Sequence, residues 1–423
     1  MKPILKWLYP GLKIKRWFLL FLGGVFLGSY GLAMVIPIPI PPSSLPWGIV
    51  YLILGAILAS LGLWQAIRSL FSVFLPSEEE RLVDIIYRQR QLEKGPKIVA
   101  IGGGTGLSVL LRGLKEYSGN ITAIVTVTDT GGSSGRLREE LGILPPGDIR
   151  NCLVALADTE PLMESLFQHR FQTGEGLAGH NLGNLFLAGM TEILGDFSGA
   201  VHQVSRVLAV RGQVIPSTLE NVTLRAELAG GEIVEGEAAI SSRGEKIQHL
   251  SLHPAAPRPL PEAVEAIMKA DAIILGPGSL YTSIIPNLLV AELTAAIQRS
   301  PALCIYVCNV MTQWGETNGY TACDHLNALE GHLQAQFIDY VIVNTGAVPS
   351  HLLTCYRSEK ALPVPVDWER LRAKNVQVIS GSFISQQDFA HHDSAQLAAA
   401  IMKLVWKKYL SRLGDATKIG SKK

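Results

Sequence analysis

From Trp17 to Ile67 the chain carries no Lys, Arg, Asp or Glu, and this stretch constrains the fold more than any other feature. Two apolar runs fill it, Trp17–Ile36 and Trp47–Ile67. Each is close to the roughly 20 residues that a membrane-spanning helix needs. Between them lies IPIPIPPSSLP, a proline-rich turn too stiff to be helical. Trp17, Trp47 and Trp64 fall near the ends of the runs, where amphipathic rings favour the membrane interface. The first run is long for a signal peptide, lacks a clear cleavage site and is followed by a second, so a two-helix hairpin is the favoured reading over residues 1–70. Lys2, Lys6, Lys13, Lys15 and Arg16 precede the first run, and Arg68, Arg81, Arg88 and Arg90 follow the second. That asymmetry predicts both termini on the cytoplasmic side.

Residues 71–95 read as a charged connector, with Leu82, Ile85, Ile86 and Leu92 at roughly helical spacing. Beyond it, apolar runs and helical patterns alternate. KIVAIG (97–102), ITAIVTVT (121–128), DAIILG (271–276), ALCIYVCNV (302–310) and YVIVNT (340–345) are continuous rather than alternating, as in parallel strands covered on both faces. Helices are expected over Gly106–Tyr117, Asp148–Ala157, Leu182–Leu194 and Leu288–Gln298. The fold class is therefore α/β, a doubly wound, mostly parallel sheet spanning residues 96–390. Residues 221–253 break the rhythm and read as an antiparallel meander inserted in the body, its strands divided by Gly-Gly and Ser-Ser-Arg-Gly. A C-terminal helix and basic tail occupy 391–423, where Lys403, Lys407, Lys408, Arg412, Lys418, Lys422 and Lys423 read as a solvated end.

A net charge of +1, with 17% charged residues, leaves no global basic field for nucleic acid. The five cysteines show no C-x-x-C spacing, and Cys304 and Cys308 read as buried core thiols.

Chemistry concentrates at the ends of the apolar runs. Gly103, Gly104, Thr105 and Gly106 follow the first run and open a helix, the context of a phosphate-binding turn. The motif is neither a Walker loop nor G-x-G-x-x-G, because Leu107 stands where the last Gly belongs. After the second run come Asp129, Gly131, Gly132, Ser133, Ser134 and Arg136. Asp129 stands where a doubly wound fold places a carboxylate for ribose hydroxyls, and it could equally hold Mg²⁺. The glycines and serines make a donor-rich concavity, and Arg136 offers a fork for phosphate. Asp148, Arg150 and Asn151 follow, with Asp148 either an ordinary helix N-cap or a crevice residue. His180, Asn181 and Asn184 set polar groups on an otherwise apolar helix, where they either cap the backbone or meet a ligand. A third glycine loop supplies Gly276, Gly278, Ser279, Tyr281 and Thr282, and Asn309 begins a further polar strand end, Asn309–Gln313. His391-His392-Asp393 reads as solvated surface.

Taken together, IGGGTGLSVLLRGLK, DTGGSSGRLR, PPGDIRNCLVALA, GHNLGNL, LGPGSLYTSIIPNLLV, CNVMTQ-x-GET-x-GYTA and DYVIVN occur in one order. They closely resemble the bacterial gluconeogenesis-factor family (YvcK type), relatives of the CofD enzyme, 2-phospho-L-lactate transferase. The resemblance implies a Rossmann-like core and binding of UDP-sugars such as UDP-N-acetylglucosamine. It also implies a regulatory role in carbon metabolism, cell shape and envelope synthesis, with envelope-synthesis enzymes as partners, and allows a homodimer. The transferase relatives instead pass a phospholactyl group from a guanylylated donor to a flavin-like acceptor, with Mg²⁺. The chain departs from the pattern where Asp129-Thr130 replaces the frequent pair of acids, so a metal held by paired carboxylates is not implied. Trp314 and Asn318 also depart from it. The expectation is a non-catalytic UDP-sugar-binding domain anchored to the bacterial inner (plasma) membrane, ahead of a phospholactyl-type transferase, a dinucleotide oxidoreductase or a scaffold.

Overall fold

The computed structural model describes residues 14–36, 45–74, 90–158, 161–333, 336–385 and 392–420. Two compact units, 1–89 and 90–423, are described in turn. The proline turn and most of the expected connector helix lie outside the described residues.

The first unit is a helical hairpin, α1 (Ile14–Val35) and α2 (Leu45–Phe74). Arg16–Val35 and Leu45–Ser69 are long and apolar enough to cross a membrane. Glycines set the approach of the two helices. A Cβ on Gly31 would lie 2.6 Å from the Leu52 nitrogen, and one on Gly55 would lie 2.7 Å from the Gly24 carbonyl oxygen. In a lipid surround, such backbone contact would supply dispersion where no hydrophobic drive holds helices together. Phe18, Leu19, Leu22, Phe26, Trp47, Ile53 and Trp64 point outward.

The second unit is built in chain order from β1 (Ile98–Gly102), α3 (Gly104–Leu114), β2 (Ile121–Val125), α4 (Gly132–Leu141), α5 (Gly147–Leu156), α6 (Pro161–Gln168), α7 (Leu182–Leu194), α8 (Phe197–Val207) and β3 (Gln213–Pro216). An insertion follows, β4 (Thr223–Leu228), β5 (Ile233–Glu235), α9 (Glu237–Arg243) and β6 (Ile247–His253). Next come α10 (Pro261–Lys269), β7 (Ala272–Leu275), a π-turn (Leu280–Ile284), α11 (Ile285–Leu288), α12 (Ala291–Arg299) and β8 (Leu303–Val307). The chain closes with α13 (Ala322–Leu333), β9 (Tyr340–Asn344), α14 (Ser350–Ser358), α15 (Trp368–Arg372), β10 (Gln377–Gly381) and α16 (Ser394–Gly420).

The seven-stranded sheet runs β10-β9-β8-β7-β1-β2-β3, and all of its pairings are parallel. β1, β2, β7 and β8 are buried along their whole length, as their unbroken apolar runs require. Because β2 and β3 build outward on one side of β1 and β7 to β10 on the other, the winding reverses between β1 and β7. Ile101 pairs with Leu275 at the carboxyl end of that seam. Ligands of open α/β sheets bind at such a reversal.

Two expectations need correction. The insertion is antiparallel but is no meander: its order is β5-β4-β6, and the Ser-Ser-Arg-Gly segment is not a turn between strands. Ser241 to Arg243 end helix α9, and Gly244, at φ +73°, supplies the left-handed stop. The helix expected over Leu288–Gln298 starts later, because the π-turn and α11 meet α12 at a bend of 76°. Cys304 and Cys308 are buried, as expected of core thiols.

Candidate functional site

The seam between β1 and β7 opens into a crevice of about 580 Å³. Gly104, Thr105 and Gly106 line one side, and Pro277, Gly278, Ser279, Thr282 and Ser283 line the other. Gly104 sits at φ +65°, a conformation that favours glycine, and starts α3 so that its first N–H groups face the crevice. A Cβ on Gly106 would lie 2.7 Å from the Pro277 carbonyl oxygen, so the two loops touch backbone to backbone. Asn287, fully buried, ties them from beneath by donating to the carbonyls of Gly102 (3.0 Å) and Ser283 (2.7 Å). Asn309 and Gln313, at the end of β8, reach across: Asn309 Oδ1 accepts from the Gly278 N–H, and Ser279 Oγ donates to Gln313 Oε1 at 2.6 Å.

Four acidic residues, Asp129, Asp148, Glu237 and Glu359, line this space. Asp129 Oδ1 accepts from the Gly131 N–H at 2.8 Å. Asp148 is pushed up to about 6 by burial and by the charge of Asp129, against the pull of the Gly104 N–H and Arg150. Glu237 is pushed up to about 7 by burial, then by Asp129, Glu316 and Asp148. Among the described lining residues there is no Lys or Arg. A pyrophosphate entering here would meet glycine N–H groups but also four acids, a repulsion that an accompanying cation would offset. Asp129 and Asp148 are hard oxygen donors that suit Mg²⁺, which is held by one or two carboxylates plus ligand phosphates. No group of three His, Cys, Asp or Glu among the described residues forms a protein-only metal cage.

Asp148 is not the helix N-cap. Pro146 holds that position, and Asp148 lies in the first turn with its carboxyl in the crevice. Asn181 is the N-cap of α7, accepting from the N–H groups of Gly183 and Asn184, which is the capping role the sequence allowed, while its own N–H and Asn184 Nδ2 both donate to Ser133 Oγ. The loop 131–136 divides its duties. Ser134 Oγ accepts from the Gly147 N–H, Ser133 Oγ bonds His180 and Asn184, and Arg136 donates to the Ala178 carbonyl. These groups, with Gly103, Gly131, Gly132, Arg150, Asn151, Gly276 and Tyr281, support the walls rather than line the crevice. Tyr281 points away and bonds Tyr320 through the two hydroxyls at 2.8 Å.

The sequence did not single out several residues that the fold delivers. Thr126, Glu237, Trp314, Glu359 and His392 all line the crevice. His392 is only 7% exposed, which corrects its reading as solvated surface. It lies 79 residues from Gln313 in sequence and has no periodic signal around it.

Against this geometry, a family profile described as 2-phospho-L-lactate transferase CofD matches residues 98–384. Bacillus subtilis gluconeogenesis factor is 52% identical over 311 residues, covering 73% of this chain and 98% of that protein. A gluconeogenesis-factor counterpart from Nostoc sp. is 48% identical over 420 residues, covering 94% of this chain and 92% of that protein. The crystal structure of a UPF0052-family protein from Bacillus halodurans, 51% identical, superposes with a TM-score of 0.71 and covers 73% of this chain and 99% of that one.

Proposed function

Since the chain belongs to the CofD family and to its gluconeogenesis-factor branch, we propose that the seam crevice is a UDP-sugar-binding site of a membrane-anchored regulator. The observation that carries this reading is the pair of glycine loops meeting at the winding reversal, Gly104–Gly106 and Gly278–Ser279, beside Asp129. Backbone N–H groups there suit a pyrophosphate, and Asp129 suits ribose hydroxyls or a Mg²⁺ that screens the phosphates from Asp148 and Glu237. The volume is that of a small-molecule site. In this reading α1 and α2 cross the plasma membrane with both termini cytoplasmic, and the domain reports sugar-nucleotide supply to envelope synthesis. The test is calorimetric titration of the full-length chain with UDP-N-acetylglucosamine, UDP-glucose and GDP, with and without Mg²⁺. Binding restricted to the UDP-sugars supports the reading, and tighter binding of GDP overturns it.

One observation favours a second reading, a phospholactyl-type transferase. Asp148 and Glu237 titrate near neutrality in the same crevice, as proton-transfer groups must. Release of GMP from a guanylylated phospholactate donor in the presence of a deazaflavin would establish it.

A further inference from the structure

On the far side of α5 from the crevice, Arg150 is buried at 7% exposure. Its Nη2 donates to Asn151 Oδ1 at 2.7 Å, but its Nε and Nη1 have no hydrogen-bond partner among the described residues. Asp148 lines the crevice, and two residues further along a helix turn about 200°, so Arg150 faces away from it. Its stem lies under the start of α7, where a Cβ on Gly183 would come 2.8 Å from Arg150 Cδ.

Several groups near it on that side are positive or donating. The N-terminal end of α7 carries the helix dipole's positive pole. Arg170 pairs in a β-bridge with Asn181 and adds a second guanidinium whose charge Arg150 feels. Ser133 Oγ accepts from the Asn181 N–H and Asn184 Nδ2, so its own proton goes to His180 Nδ1 at 3.1 Å. His180 therefore keeps its proton on Nε2, as a fixed donor. Asp148, itself pushed up to about 6, is the one acid whose charge acts on this guanidinium, and it leaves two N–H groups unused, so an anion on the α7 side would offset the second guanidinium and complete the hydrogen bonds. Asn184 Oδ1 is a buried acceptor with no partner among the described residues. A ligand that satisfies both kinds of orphan carries negative charge and one O–H.

We propose that Arg150, Arg170, His180 and Asn184 form an anion site, separate from the crevice, for a protonated phosphate group. Hydrogenphosphate and phosphate monoesters have that chemistry; a carboxylate lacks the O–H for Asn184. The proposal does not rest on the UDP-sugar reading.

The test uses the full-length chain in detergent micelles, with melting temperature read against inorganic phosphate, sulfate, UDP-N-acetylglucosamine and KCl at matched ionic strength. Phosphate should raise the melting temperature saturably and more than sulfate, which has no O–H at neutral pH. Arg150→Lys and Arg170→Ala should each weaken the phosphate midpoint at least tenfold. Arg170 is exposed, so its variant keeps the test sound if the Arg150 variant fails to fold. Asp129→Asn, in the crevice, should leave the phosphate response intact. Additive responses to phosphate and the UDP-sugar support a site separate from the crevice; phosphate that blocks the UDP-sugar response overturns it, because both phosphates of a UDP-sugar are esterified and offer no O–H to Asn184. A wild-type melting temperature that phosphate moves no further than KCl overturns it, as does an unchanged midpoint in Arg170→Ala. Loss of the UDP-sugar response alone, with phosphate binding retained, would count against the crevice reading only.

Discussion

Thr282 donates its hydroxyl to the buried carboxylate of Glu316 at 2.9 Å, which locks the π-turn after β7 to the loop after β8. The same carboxylate, 2% exposed, accepts from Ser241 Oγ, Gln313 Nε2 and the Tyr281 N–H. One side chain thus joins three segments: the insertion helix α9, the π-turn and the 310–317 loop. Burial raises the Glu316 carboxyl, and its donors pull the other way. None of the three segments is adjacent in sequence, and all three contribute to the crevice.

Glu316→Gln should therefore destabilise the domain by about 2 kcal/mol, because an amide puts a donor where four donors already point. Chemical denaturation would measure this. A variant within about 0.5 kcal/mol of wild type would show that the network is not a structural hub.

The crevice acids set a pH signature. Asp148 and Glu237 have folded pKa values raised to about 6 and about 7, above their unfolded ones. The stability they contribute is fully present below the unfolded values near 4 and is lost as pH rises through 6 to 7. Asp148→Asn and Glu237→Gln should each stabilise the ligand-free protein at pH 8, by roughly 1–2 kcal/mol after allowing for solvent screening, and not at pH 4. Melting curves across that range decide it; equal gains at both pH values would rule out charge as the cause.

Mg²⁺ should act through the same acids. It is expected to raise the melting temperature of the wild type at pH 8, and to do so less in Asp129→Asn. Isothermal titration with Mg²⁺ and UDP-N-acetylglucosamine should show each ligand tightening the other, as linkage requires when a cation bridges carboxylate and phosphate. Independent binding of the two would remove the cation from the crevice.

Gly106→Ala places a methyl group against the Pro277 carbonyl, whose distance of 2.7 Å leaves no room without parting the glycine loops. Ligand affinity should fall at least tenfold while circular dichroism stays unchanged. Affinity within twofold of wild type would mean that the loop contact does not shape the site.

In the hairpin, Gly55→Leu should splay α1 from α2, since the position abuts the backbone of Gly24 and Gly28. Tyr30 and Tyr51 rings lie 5.8 Å apart, so a Tyr30→Cys, Tyr51→Cys pair reports the packing. Disulfide formation in membranes should be efficient in the parent and several-fold slower with Gly55→Leu added. Equal rates would show that glycine contact does not set the helix approach.

The sequence by itself determined the parallel sheet and the hairpin, because both depend on burial that repeats along the chain. Unbroken apolar runs such as Ile98–Gly102 and Leu303–Val307 read as strands covered on both faces, and the stretch without charge from Trp17 to Ile67 falls in two helices long and apolar enough to cross a membrane. It also marked Gly104–Gly106 and Gly278–Ser279, since glycine after a buried strand leaves a local signature. What only the tertiary structure decided is which polar groups share one space. Glu237 enters the crevice because the insertion folds back over the seam, and His392 because the chain returns after β10. Arg150 is in the same helical turn as Asp148 yet faces the opposite way, a separation fixed by helix geometry once α5 is docked. Periodicity records the partner that repeats; a contact made once, across dozens of residues, leaves no trace until the chain has folded.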